Sequence, residues 1–289
     1  MLVLFTDTDT DITPEVCRKY GYRLISMPYS IDGKTYYPYE SWESFDCHEY
    51  YEKLRAGLMP TTSSVNEEKY VEYFEPVFAA GDDILYVHFS RKMSGTFENM
   101  DRVVKQLKEK YPERRFYEID TKSISIGALN MVEEIGDMVK AGKSVEEIQA
   151  WAEKEIPHFA CYYFASDLHF FKRSGRVSGL AATMGTFLGV RPIIYMTDEG
   201  TMVNCGKEKG KANAIKRLVN YVKELGDNVK DHCVMIANGD IPDAVEQIKE
   251  ALYAEFGSDL RIEVYDVNPV IGAHCGPSCT GISFHAIHR

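Results

Sequence analysis

The chain has 289 residues, 45% of them hydrophobic and 27% charged, with a formal net charge of −11. That composition is globular and excludes a disordered chain, and the length allows one large domain or two of ordinary size. No basic face is available to follow nucleic-acid phosphates, the nearest run being KEKGKANAIKR at 207–217, so nucleic acid is not an expected partner.

The start, MLVLFTDTD, is apolar for five residues and then acidic. It lacks the basic start, long apolar region and small-residue cleavage site of a secretory signal, and reads as a buried first strand. No run approaches the ~20 apolar residues of a membrane span, so stable membrane insertion is not expected. The seven cysteines are an odd number and form no CxxC pair, a pattern of reduced thiols that points to the cytoplasm. Only Cys275 and Cys279 are close in sequence, a weak basis for zinc, and no metal is expected.

In chain order, strands are expected at 2–6, 23–31, 84–89, 115–119, 159–165, 190–196, 201–205, 232–237 and 261–265. Helices are expected at 13–20, 46–57, 66–80, 95–110, 124–141, 144–156, 209–226 and 241–256. Start signals support several of them: Thr13 before Pro14, Asn66 before two glutamates, and Ser144 with Glu147 as a capping box. Gly57, Gly81 and Gly142 stand where helices should end. Met100, Val103, Val104 and Leu107 keep a helical period that lays their helix on a core.

Two hairpins interrupt the alternation. IDGKTYYPY at 31–39 centres on a DG turn, a small insertion at about 28–42. TFLGVRPIIYMTDEGTMVNCG places two strands around DEG with no helix between them, which implies antiparallel pairing. The expected architecture is α/β in two domains. Residues 1–157 form a mostly parallel sheet flanked by helices, and residues 158–289 form a domain with an antiparallel sheet.

Several loops carry candidate chemistry. DTDTD at 7–11 has the DxDxT spacing of an aspartyl-nucleophile phosphatase at Asp9, Asp11 and Thr13, although Asp7 already ends the strand. The plainer reading is a polar turn before a capped helix. TTSS at 61–64 precedes a helix start, where hydroxyls and free N–H groups suit a carboxylate or phosphate, or simply cap the helix. In HFSRKMSGTFENM a strand runs into Ser94, Gly95 and Thr96, the strand-end position where α/β sheets bind ligands. Ser94 lacks a GxSxG elbow, so a hydroxyl donor is the better reading than a nucleophile. FFKRSGRVSG at 170–179 offers Arg173 and Arg176, suited to oxyanions, and AHCGPSCTG at 273–281 holds His274 in a Gly/Pro-rich loop.

FTDTDTDIT, PTTSS, SRKMSGTF, IDTKSISIG, KRSGRVS, GVRPIIYMTDEG and NPVIGAHCGP, in this order over nearly the whole length, resemble the DegV family of bacterial fatty-acid-binding proteins. The resemblance implies a two-domain α/β fold with one long-chain fatty acid between the domains, no other cofactor and no turnover by the chain itself. Matched by motif, Thr62, Ser63, Ser94 and His274 would hold the carboxylate, with Gly95 and Thr96 in the same turn. Of Arg173 and Arg176, one would lie near the head group and one would be structural. The family pattern also implies presentation of the acid to a fatty acid kinase subunit, with Lys207 and Lys209 facing that partner or the new phosphate. A sensor with the same pocket and no kinase is the neighbouring alternative. Ser174 and Lys209 depart from a glycine and an arginine of the family pattern, Cys275 and Ser278 from its more usual threonine and glycine, and SVN at 64–66 lacks the usual proline. The sequence does not locate the tunnel walls, although Phe, Met and Leu are abundant near 159–196.

Overall fold

A computed structural model describes residues 1–40, 45–179 and 189–289. The apolar start forms β1 (Leu2–Asp7), followed by a single 3-10 turn and α1 (Pro14–Tyr20), whose Thr13 hydroxyl accepts from the Val16 N–H. The expected strand at 23–31 is two strands, β2 (Arg23–Ile25) and β3 (Tyr29–Ile31). They separate around Pro28, which has no N–H for a ladder, and they join different sheets. Asp32 and Gly33, at φ 50° and 79°, make the tight turn into β4 (Lys34–Tyr36), the double positive-φ geometry that a DG pair favours. Residues 41 and 42 of the expected insertion lie outside the described residues.

The chain continues through α2 (Cys47–Arg55), β5 (Thr61–Thr62), α3 (Glu67–Ala79), β6 (Asp83–His88), α4 (Thr96–Lys110) and β7 (Phe116–Asp120). Next come α5 (Ile126–Lys140), α6 (Val145–Glu155), β8 (Phe159–Phe164), α7 (Leu168–Ser174), β9 (Val177–Ser178), β10 (Val190–Met196) and β11 (Met202–Lys209). The last elements are α8 (Lys211–Leu225), β12 (Val234–Gly239), α9 (Pro242–Phe256), β13 (Ile262–Asp266), α10 (Pro269–Cys275) and β14 (Cys279–His285). Ser144 and Glu147 close the expected capping box on α6. The hairpin strand β11 runs to Lys209, past its expected end, and Gly210 at φ 80° separates it from α8.

The first sheet is fully parallel, in the order β2-β1-β6-β7. The second is mixed, in the order β13-β12-β14-β8-β10-β11-β9, with parallel pairing only at β12–β13 and β9–β11. A third, small sheet, β4-β3-β5, ties the early hairpin to the TTSS loop.

Strand β8 explains how the halves join. Phe159 and Cys161 point into a core shared with the parallel sheet, while Ala160, Tyr162 and Phe164 point to a second core under α8 and α9. This is the period-2 alternation of a strand covered on both faces. Helix α5 fills the space between the sheets, packing on β8, β12 and β14 and also on β6 and α1. Its first turns are accordingly buried all round.

Candidate functional site

Where the parallel strands end, the chain leaves a cavity of about 220 Å³ facing the second half of the molecule. Its apolar wall includes Met27, Phe89, Met93, Met202, Val267 and Val270. At the mouth, Ser63, Ser64, Gly95 and Arg176 are exposed, and Thr62, Ser94 and His274 sit half-buried beneath them. The buried part of the wall is therefore mostly hydrocarbon, interrupted by Asp9, Ser125 and Thr280, and its exposed end is hydroxyl, imidazole and guanidinium.

Each mouth residue has a local cause for its position. Thr62 is held because β5 pairs antiparallel with β3, Tyr29 lying opposite Thr62. Ser94 follows β6 and a 3-10 turn, and its hydroxyl accepts the Thr96 N–H at 3.2 Å. His274 rides on α10, which Asn268 caps by accepting from the N–H groups of Val270 and Ile271. The backbone N–H and side-chain amide of Asn268 both donate to Asp11 at 2.8 Å, so the acidic turn after β1 anchors the helix that carries His274. Helix α2 buttresses α10 from the other side through the Tyr50 hydroxyl on the Pro269 carbonyl. An added Cβ at Gly272 would come within 2.8 Å of the Tyr51 hydroxyl, so α10 requires a glycine at this contact.

Thr62 Oγ1 and His274 Nε2 share a hydrogen bond of 2.9 Å across these two elements. Burial, reinforced by Arg176 and Arg173, pushes the His274 pKa down to about 4. The imidazole is therefore neutral at physiological pH, able to donate from one nitrogen and accept at the other.

The structure separates the two arginines. Arg173 donates through Nη2 to the carbonyls of Pro60 and Ala273, at 2.9 and 3.0 Å, and is absent from the cavity wall. It clamps the segment before Thr62 to α10, the position of a structural arginine within the pair. Arg176 lines the mouth, and among the described residues its guanidinium donates to the carbonyl of Ser174, two residues back. Thr96 is likewise engaged within the protein. Its hydroxyl accepts the Val65 N–H and hydrogen-bonds the Tyr70 hydroxyl, pinning the TTSS loop to α4 from a fully buried position off the wall. Lys207 and Lys209 lie exposed on β11, likewise off the wall.

The acidic turn is not arranged as a phosphatase nucleophile. Burial pushes the carboxyls of Asp7 and Asp11 up to about 7. Asp7 accepts from Tyr86 Oη and the Asp9 and Phe89 N–H groups, and Asp11 from Ser125 and Asn268. Asp9 lies on the cavity wall, and burial followed by the charges of Asp7 and Asp11 raises its pKa well above the usual value. A carboxyl whose pKa is raised is ionised less of the time and so is a weaker nucleophile at a given pH.

Sequence reasoning did not place the inner wall. Of the window 159–196, Tyr163, Phe171 and Arg176 line the cavity among the described residues, and 180–188 lie outside them. The remaining wall comes from strand ends and loops between residues 9 and 280, a convergence that no single window displays. Cys275 and Cys279 also face the cavity, with sulfurs 3.1 Å apart. Away from it, His48, Glu52 and Asp240 gather their ligand atoms within 4.8 Å, but Arg55 is ion-paired with Asp240 and supplies the positive charge there.

A family model described as the uncharacterised DegV family matches residues 1–286. A DegV domain-containing protein of Clostridium perfringens is 32% identical over 284 residues, spanning 98% of this chain and 96% of its own length. Among solved structures, a DegV-family protein of Thermus thermophilus, described for its fatty acid binding, aligns with a TM-score of 0.86 and 24% identity over 99% of each chain. A DegV-family protein of Eubacterium eligens, loaded with heptadecanoic acid, aligns with a TM-score of 0.84 and 20% identity over 99% of this chain and 100% of its own.

Proposed function

The chain belongs to the DegV family, and from that premise we propose that it binds one long-chain fatty acid in the cavity, hydrocarbon inward and carboxylate at the mouth. The observation that carries this reading is the grading of the wall, mostly apolar within and closed by the Thr62–His274 pair and Arg176 at the exposed end. Each methylene removed from water contributes ~0.8 kcal/mol, so the chain supplies most of the affinity. A carboxylate is costly to bury unless hydrogen-bonded, and Thr62, Ser63, Ser94, neutral His274 and Arg176 can meet it while the mouth stays solvated.

The head group then sits where a second protein can reach it. In this reading the chain is a carrier without turnover of its own. A fatty acid kinase ATP-binding subunit docks over the mouth, a carboxylate oxygen attacks the γ-phosphorus of ATP, and ADP leaves as the acyl phosphate forms. Lys207 and Lys209, exposed on β11, are assigned to that partner face or to the new phosphate.

Titration of delipidated protein with palmitate and oleate tests the head-group assignment. Thr62→Val and His274→Leu should each weaken binding about tenfold, ~1.4 kcal/mol. Unchanged affinity in both variants refutes the assignment, and no binding by the wild type refutes the lipid reading. Kinase presentation is tested by adding the ATP-binding subunit and ATP and trapping acyl phosphate with hydroxylamine. Absence of acid-dependent ADP release refutes it.

A further inference from the structure

Of the polar groups on the inner wall, Ser125, Tyr163 and Thr280 donate to partners in the protein, and Asp9 is left with an oxygen that has none among the described residues. Asp9 is 8% exposed, lies on the cavity wall, and its Oδ1 has no hydrogen-bond partner among the described residues. The flanking acids differ: Asp7 and Asp11 are each met by several donors from the protein. Its backbone is fixed, because the Asp9 carbonyl accepts the N–H of Ser125, another wall residue, at 2.8 Å. Buried polar groups in native proteins are almost always paired, and a carboxyl on a cavity wall with an oxygen left unpaired points to a partner on the ligand.

We propose that Asp9 selects fatty acids bearing an oxygen function along the chain, a hydroxyl foremost, which it meets on the inner wall while the carboxylate stays at the mouth. This rests on the fatty-acid reading and adds a chain-side specificity determinant to it. A protonated carboxyl offers one O–H donor and one carbonyl acceptor, the complement of a secondary alcohol, which both accepts and donates. Burial, followed by the charges of Asp7 and Asp11, raises the Asp9 pKa and so favours that neutral form. A plain alkyl chain passing the same point would leave the carboxyl desolvated and unpaired. Sites built around a hydrogen bond discriminate strongly against analogues that lack it.

The test uses the delipidated full chain, stearate, and a positional series of monohydroxystearates, with affinities from calorimetry or competition in native mass spectrometry. In the wild type, one hydroxyl position should bind about tenfold tighter than stearate, ~1.4 kcal/mol. Asp9→Leu should bring that ratio to about one, and Asp9→Asn, which keeps a donor and an acceptor, should retain part of it. The wild-type series decides the matter even if Asp9→Leu fails to fold. Stearate bound as tightly as every hydroxylated acid overturns the proposal and leaves the lipid reading standing, as does a preference that survives in Asp9→Leu. Failure of the wild type to bind any acid of the series overturns both.

Discussion

Replacing Arg173 and Arg176 one at a time separates a brace from a ligand contact. Arg173 joins the Pro60 and Ala273 carbonyls at 2.9 and 3.0 Å, and its guanidinium lies 5.7 Å from the centre of the Phe170 ring. Hydrogen bonds from a charged donor contribute ~1.5–3 kcal/mol each. Because Arg173 is exposed, solvent reduces the pair to about 2 kcal/mol. At roughly 2 °C per kcal/mol for a chain of this size, Arg173→Met should lower the melting temperature of the ligand-free protein by about 4 °C. Among the described residues the Arg176 guanidinium contacts backbone within its own turn, so Arg176→Met should shift melting by less than about 1 °C. Its effect should appear instead in fatty-acid titration, about tenfold weaker for the loss of one charged donor. Thermal melts of delipidated protein and titrations with oleate measure both quantities. Equal melting losses in the two variants, or full oleate affinity in Arg176→Met, refute the division.

Other expectations follow from the same geometry. Asp7 and Asp11 rise from 3.8 to about 7 on folding, so the native state keeps protons that the unfolded chain loses as pH climbs from about 4. Their contribution is complete below the unfolded value, is lost through pH 4 to 7, and levels off above, by up to ~1.4 kcal/mol per pH unit per group. Urea denaturation across this window should show that fall, and Asp11→Asn should flatten it; a slope unchanged in the variant contradicts the assignment. Cys205 is the one exposed thiol of seven, so brief iodoacetamide treatment of native protein should add a single adduct by mass spectrometry, against seven after denaturation. Several rapid native adducts would contradict the burial. Gly200 stands at φ 84°, and a Cβ there would lie 2.3 Å from Ser90 Oγ, whose hydroxyl donates to the Gly200 carbonyl. Gly200→Ala should cost ~1–3 kcal/mol in chemical denaturation by prying the β10–β11 hairpin tip from the loop after β6, and a neutral result would refute that contact.

The sequence was most readable where one local rule acted alone. Strands β1 and β6 are continuous apolar runs because both faces are covered, and α6 announces itself through Ser144 and Glu147. Strand β14 went unseen although it is central and buried throughout, since CTGISFH is too rich in small and polar residues to read as a strand. Its polar groups are paired by the fold: Thr280 donates to the Ala237 carbonyl and His285 hydrogen-bonds the Asp227 carbonyl. Helix α10 looked like a loop because Pro269, Gly272 and Gly276 punctuate it, yet Asn268 and Asp11 give it a firm start. Arg289, buried and donating to carbonyls of Ile156, Thr121 and Thr197, joins both halves of the molecule without any sequence pattern to announce it.

The residues that gather at the cavity mouth were legible for a related reason. Thr62, Ser94 and His274 are short polar residues in glycine- or hydroxyl-rich turns, a local signature. The roles of Thr96 and Arg173 were not, because a hydroxyl or guanidinium that holds a loop has the same local sequence as one that holds a ligand. Only the partners decide: Val65 and Tyr70 for Thr96, Pro60 and Ala273 for Arg173. The hydrocarbon wall was the least legible, being assembled from side chains as far apart as Met27 and Val270.

Native mass spectrometry of the protein purified from cells, followed by organic extraction and identification of what is released, tests the central claim most directly. The account expects a species heavier than the apo chain by one long-chain fatty acid, lost on extraction and restored by adding the acid back. Only apo protein, with no rise in melting temperature on adding oleate, palmitate or a hydroxystearate, would contradict it.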